Sequence, residues 1–355
     1  MSLPKWLLMR LHYGIHTIEL YLQNLKYTEV QKVIEQLEKL GRIHKIKSDY
    51  YNIDRHLKCT YFVEDGIRLR IHQSHNRSNG IGFAINPSTL LSGEYQPVNL
   101  WVPTPKAVEK LQKKLVLVFE DLGLDSTYVK KLSLCQMDVT QDEWGDGSYD
   151  PVARIRQFRK GIVPKGFEAA ANKDKKLDPY LYAIKSTRKN PQKPSGIAVK
   201  AYDKVHELKT NCRCPKHLED KAILRFEVSM KHEAFLKKLE LDRDAPLYEM
   251  LRAGYDQGKE IIAGYQEKMY PFAGKVVSYG EAKKVVQSKV KDNLLREQML
   301  YLLKKTSDSA RVSTAVQKLR DHYNDVDDRR KKKIFDKFDE LGISPVTQPK
   351  NSRLF

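Results

Sequence analysis

The sequence predicts an α+β protein in which a βαβββα unit occurs twice, shares a central antiparallel sheet and is followed by a C-terminal helical region. Two observations predict this fold. Strand-like and helix-like segments follow one another in the same order over residues 15–123 and 132–240. Beyond about residue 275 the chain is charged and helical, with no strand pattern. Because the two segments share little residue identity, two unrelated α+β halves are the alternative.

The first unit is predicted from alternation in its strands and from helical spacing in its helices. Ile18 and Leu20 alternate with polar residues in the first strand, whereas apolar side chains recur three or four apart in the helices. The helices begin at the capping residues Thr28 and Thr104 and end at glycines. In chain order the elements are a strand at 16–22, a helix at 28–41, strands at 59–64, 67–73 and 80–85, and a helix at 104–123.

The second unit repeats this order. Its first helix begins at Asp150-Pro151, a typical start, and ends at Gly161. The elements are a strand at 132–140, a helix at 151–161, strands at 180–186, 196–204 and 222–230, and a helix from 232. We therefore divide the chain into an N-terminal α+β half, a second α+β half and a charged helical region, at 1–125, 126–275 and 276–355.

Charge and composition limit the classes of function. The chain has 64 Lys and Arg against 45 Asp and Glu, a net charge of +19, which favours a polyanionic partner such as nucleic acid. A basic protein without such a partner is the alternative. A hydrophobic fraction of 41% excludes a wholly disordered chain. No apolar run approaches the roughly 20 residues that span a bilayer, and four cysteines do not make a secreted disulfide framework, so we expect a cytoplasmic protein without membrane contact.

Three predicted strands of the second unit carry polar side chains on alternate positions. If the strands are neighbours, their polar positions share one face of the sheet. Two carboxylates on one face favour a site for Mg²⁺ or Mn²⁺, and a tyrosine beside such a metal can act as a nucleophile. A solvated sheet face with cross-strand ion pairs is the alternative. The side chains concerned are Asp138, Lys200, Tyr202, Lys204, Arg225 and Glu227.

The same strands carry short motifs that resemble a known family. The segments MDVT at 137–140, AYDKVHE at 201–207 and LRFEVSMK at 224–231 are similar to the core of rolling-circle replication initiators. The resemblance is to the filamentous-phage gene II-type proteins and the plasmid replication-initiation (Rep_trans) group. It covers residues 130–235 well, and the first half only in the order of its elements.

The resemblance implies a role for each matching residue. Tyr202 would break a DNA strand and keep its 5′ phosphate. Asp138 and Glu227 would bind the metal, Glu207 would be a third carboxylate ligand, and Lys204 would contact the phosphate or activate the tyrosine. Gln136, where the family pattern usually has Arg, is a departure that removes a positive charge but no proposed ligand.

Further basic residues are expected to bind DNA. Arg225 matches the family pattern and Lys200 shares its face of the sheet, and both are assigned to DNA. The first unit lacks paired carboxylates and has Arg68 and Arg70 instead, which suggests that it docks DNA. A basic, solvent-exposed sheet face without a DNA partner fits these residues equally well.

The sequence does not favour a structural zinc site or a nucleotide-binding P-loop. Cys212 and Cys214, with His206 and His217 nearby, offer zinc ligands, but their C-x-C-x-x-H spacing is unusual for structural zinc and favours a metal-free loop. The chain has no G-x-x-x-x-G-K-[ST] motif, so a host helicase is expected to unwind the DNA.

The sequence thus predicts a metal-dependent nickase that starts rolling-circle replication at a single-stranded or cruciform origin and leaves a 3′ hydroxyl for a host polymerase. A conjugative relaxase with the same chemistry is one alternative, and the residues do not separate the two. A basic DNA-binding regulator without catalysis is the other.

Overall fold

The structure, a computed structural model, describes residues 10–41, 43–44, 55–59, 66–73, 78–145, 149–164, 167–169, 180–184, 196–242, 244–308 and 311–347. The strands are β1 Arg10–Leu25, β2 Ile43–His44, β3 Arg55–Cys59, β4 Ile67–Gln73, β5 Asn79–Ile85, β6 Ser133–Gly145, β7 Phe167–Ala169, β8 Tyr180–Ile184, β9 Ile197–Asp203 and β10 Ala222–Lys231. The helices are α1 Tyr27–Lys39, α2 Pro87–Ser92, α3 Pro105–Asp121, α4 Pro151–Lys160, α5 Lys204–Thr210, α6 His232–Leu239, α7 Leu247–Met269, α8 Tyr279–Lys289, α9 Asn293–Ser307, α10 Val312–His322 and α11 Asp328–Glu340.

One antiparallel sheet contains all ten strands of the described residues. Its order is β2-β3-β4-β5-β1-β6-β10-β9-β8-β7. From the central β1–β6 pair outwards, the strands follow the same order on both sides, as a duplicated unit requires. The α+β prediction with a central antiparallel sheet and a C-terminal helical region is confirmed.

The predicted content of each unit is wrong in detail. The first unit has four strands after α1 instead of three, because β2 at 43–44 was not predicted and β3 at 55–59 begins before the predicted strand at 59–64; of that predicted strand, only Cys59 belongs to the described residues. The second unit gains β7 and the helix α5, which separates β9 from β10. Strands of two or three residues are too short to show alternation in a sequence.

Three of the predicted helix starts can be compared with the structure. Thr104 and Asp150 cap α3 and α4 as predicted, accepting hydrogen bonds from the backbone N–H groups of Ala107 at 3.2 Å and Val152 at 2.9 Å. Helix α1 instead begins one residue before Thr28, and the Glu29 carboxylate accepts a hydrogen bond from the backbone N–H of Lys26 at 2.7 Å.

Helices α1, α3, α4, α6 and α7 cover one face of the sheet and leave the site on the other. A single hydrophobic cluster contains apolar side chains from β1, β4, β5, β6, β9 and β10 and from helices α1, α3, α4, α6 and α7. Alternate side chains of the same strands point to the opposite face, which these helices do not cover. That face is where the polar residues singled out from the sequence lie.

Helices α8–α11 bury a second hydrophobic cluster that runs from Phe272 to Val346. This region contacts the second unit through Lys160, whose Nζ donates to the carbonyl oxygen of Thr306 at 2.7 Å, near the end of α9. The boundary near residue 275 stays a prediction. No helix in the described ranges is long and apolar enough to cross a membrane.

Candidate metal centre and active site

The pairing of β6, β10 and β9 brings together polar side chains that are far apart in the sequence. In the β10–β6 register Ser229 lies opposite Asp138. In the β10–β9 register Glu227 lies opposite Lys200, and Arg225 lies opposite Tyr202. Because side chains at directly opposed positions share a face, these groups all stand on the open face of the sheet.

A β-bulge in β1 adds a histidine that the sequence analysis missed. The β1–β6 register shifts between Ile15 and Thr17, so that His16 is the extra residue. Bulges redirect side chains and are frequent beside active sites. Here the bulge places His16 Nδ1 3.2 Å from Glu227 Oε1. A signal was present in the sequence, because Ile15 and Ile18 are both apolar, although residues three apart point to opposite faces of a regular strand.

His16, Asp138 and Glu227 form a group that fits a divalent cation. One candidate ligand atom from each residue lies within 4.8 Å of the others, and both carboxylates are buried. Two carboxylates and an imidazole suit Mn²⁺ well, and Mg²⁺ less closely, because Mg²⁺ prefers oxygen ligands. It is the only such group found in the described part of the chain.

Glu207 does not belong to this group, so its assignment as a metal ligand is corrected. Its carboxylate is paired instead with Lys204 Nζ at 2.8 Å and accepts a hydrogen bond from Asn211 Nδ2 at 2.8 Å. The physical reason is that α5 begins at Lys204, so residues 204, 207 and 211 follow one face of a helix.

The protonation of the group agrees with metal binding at neutral pH. Burial and the neighbouring Glu227 carboxylate raise the pKa of Asp138 to about 6. Burial alone would raise the pKa of Glu227, but the hydrogen bond and charge of His16, with Lys200 and Arg225, hold it below its usual range. Burial and the charge of Arg225 lower the pKa of His16. Above pH 6 the group thus offers two carboxylates and a neutral imidazole, the forms that bind metal.

Tyr202 forms a hydrogen bond with one member of this group. Its hydroxyl donates to Glu227 Oε1 at 2.8 Å. Burial and the charge of Glu227 raise the pKa of Tyr202 well above its usual value, so the resting phenol keeps its proton. Lys204 Nζ lies 5.9 Å from the centre of the Tyr202 ring. Burial and the charge of Arg225 lower the pKa of Lys204.

Arg225 is not a DNA contact, and that assignment is also corrected. Its side chain is 0% exposed, and it donates from Nε and Nη2 to the two carboxylate oxygens of Asp142, both at 2.7 Å. Nη1 donates to the carbonyl oxygen of Pro97 at 3.3 Å. The buried Arg225 guanidinium therefore holds neighbouring groups in position and does not contact a ligand.

The group opens into a cleft of about 810 Å³. Lys200 lines it with Nζ 3.7 Å from Glu227 Oε2. Burial alone would lower the pKa of Lys200, but Glu227 and Asp138 raise it overall. Arg68 and Arg70, both exposed, line the part of the cleft that belongs to the first unit, and Arg70 Nη2 lies 3.1 Å from Glu19 Oε1. Arg213 and Lys231 line it too, and both were overlooked in the sequence.

The cysteine loop gives no support to the zinc alternative. Cys212 is exposed and Cys214 is half-buried, and both are free cysteines. The Cys214 thiol lies 3.7 Å from the carbonyl oxygen of Pro215. Neither residue belongs to the candidate metal group formed by the described residues.

Without divalent cations, Asp138→Asn should stabilise the protein at pH 7.5. Since the pKa of Asp138 is raised to about 6, the folded protein holds this proton more tightly than the unfolded chain, and stability is lost as the pH rises through about 6. An amide escapes that loss, which amounts to about 3 kcal/mol for a rise of the pKa from 3.8 to about 6. Thermal melts in EDTA from pH 4 to 7.5 should show the gain above pH 6 and none near pH 4.

With Mn²⁺ the wild type should become more stable than Asp138→Asn. The wild type should gain melting temperature with Mn²⁺ concentration, because a ligand of the folded state stabilises it, and Asp138→Asn should gain little. Glu207→Gln is the matched control, since Glu207 lies outside the group, and it should respond like the wild type. An undiminished Mn²⁺ response in Asp138→Asn would remove Asp138 from the ligands.

Comparisons with known proteins give a weak structural similarity. No family model and no curated protein matches the chain. The structure is similar to a solved rolling circle replication initiator protein from Geobacillus stearothermophilus, with 12% sequence identity and a TM-score of 0.34, over 73% of this chain and 85% of that one. A similarity of this size does not assign a function to the chain.

Proposed function

We propose that the protein is a metal-dependent DNA nickase and strand transferase that initiates rolling-circle replication through a 5′-phosphotyrosine intermediate. One observation carries the proposal. The Tyr202 hydroxyl donates to Glu227, which is also a member of the His16–Asp138–Glu227 group, and the other two members of that group, His16 and Asp138, line a cleft together with basic side chains. A potential nucleophile, a potential metal site and a polyanion-binding surface thereby meet in one place.

The chain's own residues suit a phosphoryl transfer. Tyr202 Oη attacks the phosphorus of a phosphodiester, the bond from phosphorus to the 3′ oxygen breaks, and the 5′ phosphate stays on the tyrosine. Glu227 Oε1, 2.8 Å away, accepts the phenol proton, and the departing 3′ oxygen takes a proton from solvent water to become a hydroxyl. Lys200 and Lys204 stand beside the phosphate position as stabilising charges.

A divalent cation, Mg²⁺ or Mn²⁺, held by His16, Asp138 and Glu227 would polarise the phosphoryl oxygens and offset their negative charge. The phosphotyrosine bond conserves the energy of the phosphodiester. The reverse attack by a 3′ hydroxyl therefore reseals a strand without ATP.

The proposed setting follows from this chemistry. The substrate is an origin in single-stranded or cruciform form, and the released 3′ hydroxyl primes a host polymerase in the bacterial cytoplasm. Since the chain has no P-loop motif, a host helicase unwinds the duplex. Residues 126–275 supply the chemistry, 1–125 help to dock the DNA through Arg68 and Arg70, and 276–355 add affinity. A conjugative relaxase uses the same chemistry in DNA mobilisation.

A covalent adduct tests the proposal. Incubated with Mn²⁺ and a single-stranded oligonucleotide that contains its origin, the protein should become linked to the 5′ end of the downstream product. Peptide mapping by mass spectrometry should find the adduct on Tyr202. An adduct on Tyr180 or Tyr182, in the neighbouring strand β8, would keep the class of enzyme and move the nucleophile. Tight DNA binding without cleavage or adduct would favour the non-catalytic regulator.

A further inference from the structure

Tyr95 is an aromatic side chain left exposed in the cleft. Its ring is 38% exposed, and it is the only Tyr, Phe or Trp among the described residues that line the cleft. The other large hydrophobic side chains that the described residues expose all lie outside it, namely Leu11, Leu40, Val102, Leu117, Val152 and Leu294. An aromatic ring at the wall of a polar, basic cleft is placed to contact a ligand that enters the cleft.

Two hydrogen bonds hold the loop that carries Tyr95, at the two residues that follow Tyr95 in the sequence. The backbone N–H of Gln96 donates to Thr89 Oγ1 at 3.1 Å. The carbonyl oxygen of Pro97 accepts the hydrogen bond from the buried Arg225. The backbone that follows Tyr95 is therefore held before any ligand arrives, which lowers the conformational entropy that the loop loses on binding.

The surroundings of Tyr95 combine an uncharged ring with cationic neighbours. Burial and the charge of Glu207 raise the pKa of Tyr95, so the ring is uncharged at neutral pH. The charges of Arg213, Arg225 and Arg68 act in the opposite direction and lower the pKa of Tyr95. Arg68 and Arg213 are exposed and line the cleft with Tyr95.

An aromatic ring between exposed cations is the arrangement by which proteins hold unpaired nucleic acid strands. Bases stack on the ring, since every base has a flat π-face, while the cations follow the phosphates. A duplex offers no such base, because its bases are already stacked on one another.

We propose that Tyr95 is a stacking subsite for one unpaired base of the DNA strand that enters the cleft, with Arg68 and Arg213 contacting phosphates of the same strand. The inference rests on the proposed function, because it assumes that the cleft binds single-stranded DNA. It adds that one nucleotide is held at a fixed place. Holding this nucleotide positions the scissile phosphate of the same strand relative to Tyr202.

Fluorescent oligonucleotides test the subsite directly. A series of single-stranded oligonucleotides carries 2-aminopurine at successive positions, and binding to the full chain is followed in buffer without divalent cations, so that no strand is cut. The wild type should quench the probe strongly at one position, because stacking on an aromatic ring quenches 2-aminopurine. Tyr95→Phe should preserve this quenching.

Tyr95→Ala and Tyr95→Leu should both lose it, and their affinity for the single strand should fall by about 5- to 100-fold, as is usual for one stacked base. Leu keeps the apolar bulk, so it separates stacking from simple packing. Affinity for a duplex of the same sequence should change less than twofold. Leu117→Ala removes an exposed apolar side chain outside the cleft and should bind like the wild type.

The outcomes distinguish this inference from the proposed function. If the wild type binds and cleaves single-stranded DNA and Tyr95→Ala binds it equally well, the subsite is wrong and the proposed function stands. An equal loss of duplex and single-strand affinity in Tyr95→Ala also overturns the subsite. If the wild type does not bind single-stranded DNA at all, the proposed function and the inference fail together.

Discussion

Tyr202→Phe should abolish strand cleavage, by at least about 10³-fold, and leave the affinity for single-stranded DNA within about twofold. The variant loses the one oxygen that attacks the phosphate in the proposed reaction. It keeps the ring, the cleft and the candidate metal group, and Glu227 retains its contacts with His16 and Lys200. The fold should therefore persist, and no covalent adduct should form.

Single-turnover cleavage of an origin oligonucleotide, with binding measured by fluorescence anisotropy, checks this result. Tyr180→Phe and Tyr182→Phe are the matched controls, because both tyrosines lie in β8, which pairs with β9. Both controls should cleave at the wild-type rate. Cleavage that survives in Tyr202→Phe but is lost in either control would transfer the nucleophile to that tyrosine.

Asp142→Asn should destabilise the protein by about 3 to 5 kcal/mol, because it leaves the fully buried guanidinium of Arg225 without its charge partner. The loss should extend to cleavage in variants that still fold. Arg225 lies opposite Tyr202 in the β10–β9 register, and its Nη1 holds the loop at Pro97. Arg225→Met alone should leave Asp142 unpaired and be comparably destabilising.

Urea unfolding of the single and double variants checks the pair. Since an apolar replacement of a whole buried pair is often tolerated, the double variant Asp142→Leu, Arg225→Met should recover part of the stability while cleavage stays low. Arg252→Gln, which breaks the exposed pair with Asp256, is the control and should have a much smaller effect. A similar small effect of Asp142→Asn would mean that the buried pair contributes little.

Local sequence patterns predicted which side chains form a large part of the candidate site. Alternation along three strands placed Asp138, Lys200, Tyr202 and Glu227 on one face, because the side-chain period of a strand is two wherever the strand is regular. The β6–β10 and β10–β9 pairings bring these groups together. His16 was missed because the bulge breaks that period at a single residue, and alternation assigned its position to the core face.

Two assignments were wrong for different reasons. Arg225 was assigned to DNA by its family pattern, but its partner Asp142 lies 83 residues earlier in the chain, and a contact at that distance depends on the strand register. Glu207 was assigned to the metal, although the signal for a helix was local. Asp203 is the N-cap of α5, and its carboxylate accepts a hydrogen bond from the backbone N–H of His206 at 3.0 Å, which turns Glu207 towards Lys204.

The sequence by itself determined the α+β class, the duplicated order of elements, the strongly basic charge and the set of polar side chains on the sheet, since these depend on composition and on periodicities of two and 3.6 residues. Only the tertiary structure decided that His16 joins Asp138 and Glu227, that Arg225 is buried against Asp142, and that Tyr95 stands in the cleft. These contacts join strands and loops from distant parts of the chain. Their geometry follows from register, a bulge and loop closure, which no local pattern encodes.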